Sequence, residues 1–178
     1  MTDLFDYLTW RGDLSIKQVP FCPVDALILS TLSYVHFDEL VSEGAGHITT
    51  ISQAATAYLS NPAEKRGRCR CEQDLKLLKA LSDSPRFSQM GLSFREEQFG
   101  ALAVILGDGT SFLAFRGTDS TLVGWKEDFN VSFMDTVPAQ SAAVAYVRRV
   151  AQTTPGPLIL GGHSKGGNLA VYAGITCE

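Results

Sequence analysis

The hydrophobic and polar positions divide the chain into two parts with different periods. Leu4, Phe5 and Leu8 predict a short opening helix, and Val24, Leu27, Ile28, Leu32 and Val35 keep the three-to-four spacing of a buried helical face. The runs TISQAATAYL and CEQDLKLLKAL predict further helices, separated by SNPAEKRGRCR, whose proline, glycine and charges read as a surface loop. After Pro85 the pattern changes. LSFREEQFGALAVIL and GDGTSFLAFRG predict strands joined at Gly107-Asp108-Gly109, because Asp-Gly supplies the positive φ angles of a tight hairpin. VPAQSAAVAYVRRVAQ predicts a helix with Val144, Val147 and Val150 on one side and Arg148 and Arg149 on another. LILGG is an apolar run typical of a strand buried on both faces, and KGGNLAVYAG returns to helix. Strand, helix, strand, helix is the signature of an α/β fold with a mostly parallel sheet and right-handed crossovers.

Composition narrows the function classes. A chain of 178 residues, 45% hydrophobic and 19% charged, is large enough for one core and too short for two sizeable domains. A net charge of −4 offers no electrostatic reason to expect nucleic acid or an anionic membrane surface, so a small or neutral ligand is the expected partner. MTDLFDYLTWRGD has acidic residues where a secretory signal has basic ones, and VDALILSTLSYV is interrupted by Asp25, Ser30, Thr31 and Ser33 and falls short of the ~20 residues of a membrane span. Cys22, Cys69, Cys71 and Cys177 lack the density of a disulfide framework. Reduced thiols in a cytoplasmic protein are expected.

Candidate chemistry concentrates in LILGGHSKGGNLAVYAG. Gly162-His163-Ser164-Lys165-Gly166 fits G-x-S-x-G between a predicted strand and a predicted helix, the context of a nucleophile elbow. At positions 162 and 166 glycine is expected because a side chain two positions either side of the serine would collide with neighbouring backbone. An activated serine needs donors for the oxyanion of its tetrahedral intermediate. The amide of Lys165 would be one, and FLAFRGTDS offers the other. If the strands ending near Arg116 and Gly161 are adjacent and parallel, their ends lie about 5 Å apart, and Thr118 and Ser164 face one cleft.

AFRGTDSTLVGWKEDF and LILGGHSKGGNLAVYA together resemble the class 3, fungal-type lipases, which carry an F-R-G-[ST] segment and a G-H-S-x-G-G elbow in this order. MTDLFDYLTWRGDLS, VDALILSTLSYVHFDEL and the lysine within G-H-S-K-G-G look like an uncharacterised bacterial family of lipase-like domains of unknown function, a resemblance over nearly the whole chain. The resemblance implies a single α/β-hydrolase domain over residues 1–178. Residues 1–85 would be its mainly helical region, and residues 86–178 the core with the oxyanion loop and the elbow. It makes Ser164 the nucleophile, with the backbone amides of Thr118 and Lys165 as oxyanion donors. It also implies hydrolysis of a small-molecule or lipid-like ester through an acyl-serine, with no cofactor and no metal. The family's aspartate and histidine follow the elbow in chain order, so the expectation is an incomplete sheet, a chain truncated after the elbow, and little activity in these residues alone. Lys165 stands where class 3 lipases usually have leucine.

The remaining polar residues read more simply. His163 is expected to be a packed or hydrogen-bonded neighbour of the serine, and His36 and His47 to be bystanders. Cys69-Arg70-Cys71 lacks the second pair that zinc requires. Lys65, Arg66, Arg68 and Arg70 read as a solvated loop. Arg116 and Asp128 either pair beneath the oxyanion loop or meet solvent separately, and Trp125 is expected to anchor that loop. The rival reading is a degenerate hydrolase fold that keeps the elbow for folding reasons and binds a ligand without catalysis.

Overall fold

The computed structural model describes residues 3–96, 99–117 and 136–177. The first half of the chain carries four α-helices: α1 Leu4–Arg11, α2 Pro23–Leu32, α3 Ile51–Ser60 and α4 Glu72–Asp83. Asp3 caps α1 by accepting from the amides of Phe5 and Asp6, and Thr50 caps α3 through the amide of Gln53. The buried side of α2 is Asp25, Ile28, Leu29 and Leu32. Val24 and Leu27, expected on that face, are 36% and 44% exposed.

The sheet corrects the expected fold class. Its strands are β1 Thr49–Thr50, β2 Gly91–Glu96, β3 Ala101–Ile105, β4 Ser111–Phe115 and β5 Leu158–Gly162, ordered β1-β2-β3-β4-β5. The pairs β1/β2, β2/β3 and β3/β4 are antiparallel, and β4/β5 is parallel. The sheet is therefore mixed and mostly antiparallel. It is not the mostly parallel α/β-hydrolase sheet read from the sequence. Connection length explains the difference, because a parallel pair needs a crossover of a dozen or more residues. Residues 97–100 join β2 to β3 and residues 106–110 join β3 to β4, too few for a crossover. Only residues 116–157, which contain helix α5 Pro138–Thr153, are long enough.

The run LSFREEQFGALAVIL is two strands rather than one. Gly100, at φ +74°, lies in the connection, and a Cβ there would enter the Arg116 side chain. The predicted hairpin at Gly107-Asp108-Gly109 joins β3 to β4, with Gly109 at φ +90° and the Asp108 carboxylate accepting from the Thr110 amide.

Strand alternation sends side chains into two cores. Leu102, Val104, Phe112 and Ala114 face α2, α3 and α4, packing with Ile28, Leu32, Ile51, Tyr58 and Leu78. Ala101, Ala103, Leu113 and Phe115 face α5 and the last helix, α6 Lys165–Thr176, packing with Val144, Val147, Val150 and Leu169. The sheet thus lies between two helical layers. Strand β5 is not buried on both faces. It is the terminal strand among the described residues, with Ile159 37% exposed, and Leu158, Leu160, Ala170 and Val171 line an open groove of about 620 Å³.

A buried ion pair fastens the amino-terminal part. The Arg86 guanidinium donates to both carboxylate oxygens of Asp25, at 2.8 and 2.6 Å, and to the carbonyls of Leu14, Val19 and Pro20. The Asp25 oxygens also accept from the Tyr7 hydroxyl and the Cys22 amide. Neither charged side chain exposes any surface. This one node ties α1, α2, the connection between them and the segment after α4, and so holds α1 and α2 against the helix layer behind the sheet.

Candidate functional site

The parallel pair β4/β5 sets the site. Its register places Phe115 beside Gly162, so the ends of the two strands point the same way at one edge of the sheet. From there the chain turns sharply at Ser164 into α6. The Gly166 amide donates to the His163 carbonyl, and the Gly167 amide donates to the Ser164 carbonyl. Ser164 is exposed and adopts φ 57°, ψ −127°, a combination that a residue with a Cβ rarely occupies.

Two flanking glycines make this turn sterically feasible. A Cβ on Gly162 would overlap the backbone of Gly166 and stand 2.7 Å from the Phe115 carbonyl oxygen. A Cβ on Gly166 would overlap that same oxygen and lie 2.9 Å from the Arg116 carbonyl carbon. The obstacle is backbone in each case, which no rotamer change relieves. Gly166→Ala should therefore push α6 off the end of β4 and destabilise the protein by about 1–3 kcal/mol, measured by urea unfolding. Val171→Ala, on the same helix at a side chain 64% exposed, serves as the control and should cost much less.

The end of β4 lies against the elbow. A Cβ on Gly117 would stand 2.6 Å from the His163 carbonyl oxygen and 3.1 Å from Ser164 Cβ. The adjacency expected of the two loops is thus present up to Gly117. Thr118, proposed from sequence as an oxyanion donor, lies outside the described residues, as do Trp125 and Asp128. Lys165 is the first residue of α6, so its amide belongs to the helix amino terminus, which favours negative charge.

The three histidines fall in different places. His163 is half-buried, with Nδ1 2.9 Å from the Tyr34 hydroxyl. His36 accepts at Nε2 from the Arg116 guanidinium at 2.7 Å, because a guanidinium can only donate. His47 is exposed on the loop before β1. None of them hydrogen-bonds Ser164, whose hydroxyl has no hydrogen-bond partner among the described residues.

Tyr34 is the residue that sequence reasoning missed. It is 5% exposed just beyond α2, and its hydroxyl accepts from the Gly117 amide at 3.1 Å while contacting His163. Its partners are 83 and 129 residues away, so no local spacing signals it. Burial pushes the Tyr34 hydroxyl pKa above its ordinary value, against the Gly117 amide bond and the nearby Arg70 and Arg116 charges, and the phenol stays neutral.

The basic cluster is not simply solvated. Arg66 donates to the carbonyls of Asn61 and Leu59. Arg70 pairs with the buried Asp74 at 2.8 Å and covers the Tyr34 ring at 4.3 Å. All four cysteines are free thiols. Among the described residues no group of three His, Cys, Asp or Glu side chains could hold a metal ion, and no helix is long and apolar enough to cross a membrane.

No curated protein and no solved structure matches this chain. The sequence profile of the Mbeg1-like family does, over residues 81–178, a span that includes β2 to β5, the whole elbow and more than half of the chain. The chain belongs to the Mbeg1-like family.

Proposed function

We propose that this chain carries the nucleophile of a serine ester hydrolase that works through an acyl-serine. The observation that carries the reading is the backbone of Ser164, held at φ 57°, ψ −127° between a parallel strand and a helix. Strain of this kind costs on the order of 1–3 kcal/mol and persists where the surroundings over-determine it, most often at functional sites. Its effect is to lift the hydroxyl clear of the sheet edge at the amino terminus of α6.

In the proposed reaction Ser164 Oγ attacks the ester carbonyl carbon, and the carbonyl oxygen takes up the negative charge. The amides of Thr118 and Lys165 are the proposed donors to that oxygen. Gly117 cannot serve, since its N–H is committed to Tyr34. Collapse of the intermediate expels the alcohol and leaves the acyl-serine, which water then hydrolyses. A base must take the serine proton and return it to the leaving group. None of the three histidines hydrogen-bonds Ser164, so the test supplies free imidazole as that base.

A cleft of about 260 Å³ opens beside His163, the neighbour of the nucleophile, and is lined by the apolar Leu4, Phe5, Leu27 and Leu77 and by the polar Thr31, Arg70, Gln73 and Asp74. That lining suits a substrate with both apolar and polar groups. The absence of a histidine bonded to Ser164 favours a second reading, a ligand-binding module without turnover.

Hydrolysis of p-nitrophenyl butyrate, with free imidazole supplied as a base, separates the two. The hydrolase reading expects a burst of one p-nitrophenol per chain as Ser164 is acylated. Thr118→Ala should keep most of that rate, and Thr118→Pro, which deletes the N–H, should lose about 10²-fold or more. No release above the imidazole blank would support the binding module, and equal losses in the two variants would assign the Thr118 hydroxyl in place of its amide.

A further inference from the structure

The Tyr34 hydroxyl bonds both to the end of β4 and to the elbow. It accepts the Gly117 N–H at 3.1 Å. His163 Nδ1 stands 2.9 Å from the same oxygen, and a phenol proton directed at it makes Nδ1 the acceptor, the arrangement that carries the ring N–H on Nε2. The two rings meet edge-on at 5.7 Å between centroids.

The tyrosine is itself braced from behind. The Arg70 guanidinium lies 4.3 Å over its ring, and Asp74, 1% exposed, holds that guanidinium at 2.8 Å. Asp74 also accepts from the amides of Arg70 and Cys71 at the start of α4, so the chain of contacts is anchored in the helix layer. Space around the hydroxyl is tight as well. A Cβ on Gly117 would overlap it, so glycine there is what lets the tyrosine reach between the two segments.

We propose that Tyr34 is a positioning residue of the site. Its single hydroxyl fixes the spacing between the backbone at Gly117, immediately before the proposed oxyanion donor, and the imidazole of His163, the residue immediately before the nucleophile. The proposal rests on Ser164 being the nucleophile. Acyl transfer is sensitive to this spacing, since a misplacement of about 1 Å can cost about 10²-fold in rate. Arg70, stacked on the ring and neutralised by Asp74, orients the tyrosine and makes no contact with the reacting atoms in this arrangement.

The test is the kinetics of a fluorophosphonate probe on the full chain, with imidazole present, resolved into initial binding and bond formation. Tyr34→Phe keeps the ring under Arg70 and removes only the hydroxyl. Its bond-forming rate should fall about tenfold to a hundredfold, with initial binding changed less than twofold. His163→Leu, which removes the acceptor, should show a loss of similar size, and the double variant should lose little more than either single one. His163→Asn, whose side-chain oxygen can stand near the position of Nδ1, should recover much of the rate.

Circular dichroism and thermal midpoints check that each variant is folded. A purely structural tyrosine would lower the midpoint and leave the bond-forming rate of the folded fraction at the wild-type value, and that result would overturn the proposal. Losses that multiply in the double variant would overturn the single-network account. Failure of the nucleophile reading looks different: the wild-type chain itself would carry no adduct at Ser164, and the positioning role would fall with it.

Discussion

Ser164→Gly is expected to make the protein more stable while removing all of its reactivity. At φ 57°, ψ −127° the serine Cβ is strained, and glycine occupies such positive φ angles without penalty. Relief of about 1–3 kcal/mol, offset by the roughly 0.5–1 kcal/mol of extra freedom glycine gains when unfolded, leaves a net gain of about 1 kcal/mol. The hydroxyl makes no hydrogen bond among the described residues, so little is lost with it. Urea unfolding should show a higher midpoint with an unchanged slope, and fluorophosphonate labelling should vanish. Ser164→Ala separates the two effects, since it removes the hydroxyl and keeps the Cβ: labelling should vanish and the midpoint should stay near wild type. A glycine variant less stable than wild type would mean that the elbow is not strained, and the strongest support for the functional reading would be gone.

Arg86→Met should cost about 3–5 kcal/mol, a large part of the 5–15 kcal/mol that holds a typical domain together. The loss exceeds that of a surface pair because the carboxylate of Asp25 would remain fully buried without its counter-charge, and the carbonyls of Leu14, Val19 and Pro20 would lose their donor. Lysine is no substitute, having three donors on a flexible stem where five are used in a fixed plane. The pair also sets a direction for acid stability. Burial alone would raise the Asp25 pKa, but the Arg86 hydrogen bonds, the Cys22 amide, the Arg86 charge and the Tyr7 hydroxyl outweigh it and hold the carboxyl below its ordinary value. A depressed folded-state pKa gives stability that is complete above the unfolded value of about 4 and is lost as the pH falls through the folded one. Unfolding midpoints should therefore hold from pH 7 to about pH 5 and fall below about pH 4. In Asp25→Asn, which is less stable at neutral pH, the fall should be shallower.

What could be read from the sequence was local. The helices before Asp83 announce themselves through three-to-four spacing, and the elbow through five consecutive residues whose glycines are demanded by backbone within one turn. Strand direction was not legible, because β2 and β3 both fall inside LSFREEQFGALAVIL, which reads as one strand, and Gly100 at φ +74° is a subtle mark of the change of direction. Exposure at Val24 and Leu27 was misread for a related reason. The helical period defines a face, whereas its cover depends on where α1 and α4 pack. Asp25 and Arg86 are 61 residues apart, and Tyr34 and His163 are 129 apart, so each pair comes into view only once the helix layer is set against the sheet. The parallel pairing of β4 and β5, which entered the sequence reading as a condition, is present, and it is what brings Gly117 to Ser164.

The central claim is that Ser164 is a nucleophile, and the most direct measurement is the position of a covalent adduct. The protein is treated with a fluorophosphonate, with and without free imidazole, then digested, and the modified peptide is identified by mass spectrometry. The account predicts a single adduct approaching one per chain on the peptide that spans Gly162 to Gly166, formed faster with imidazole and absent from Ser164→Ala. An adduct on another serine, or none at Ser164 under conditions where a known serine esterase is fully labelled, would contradict it.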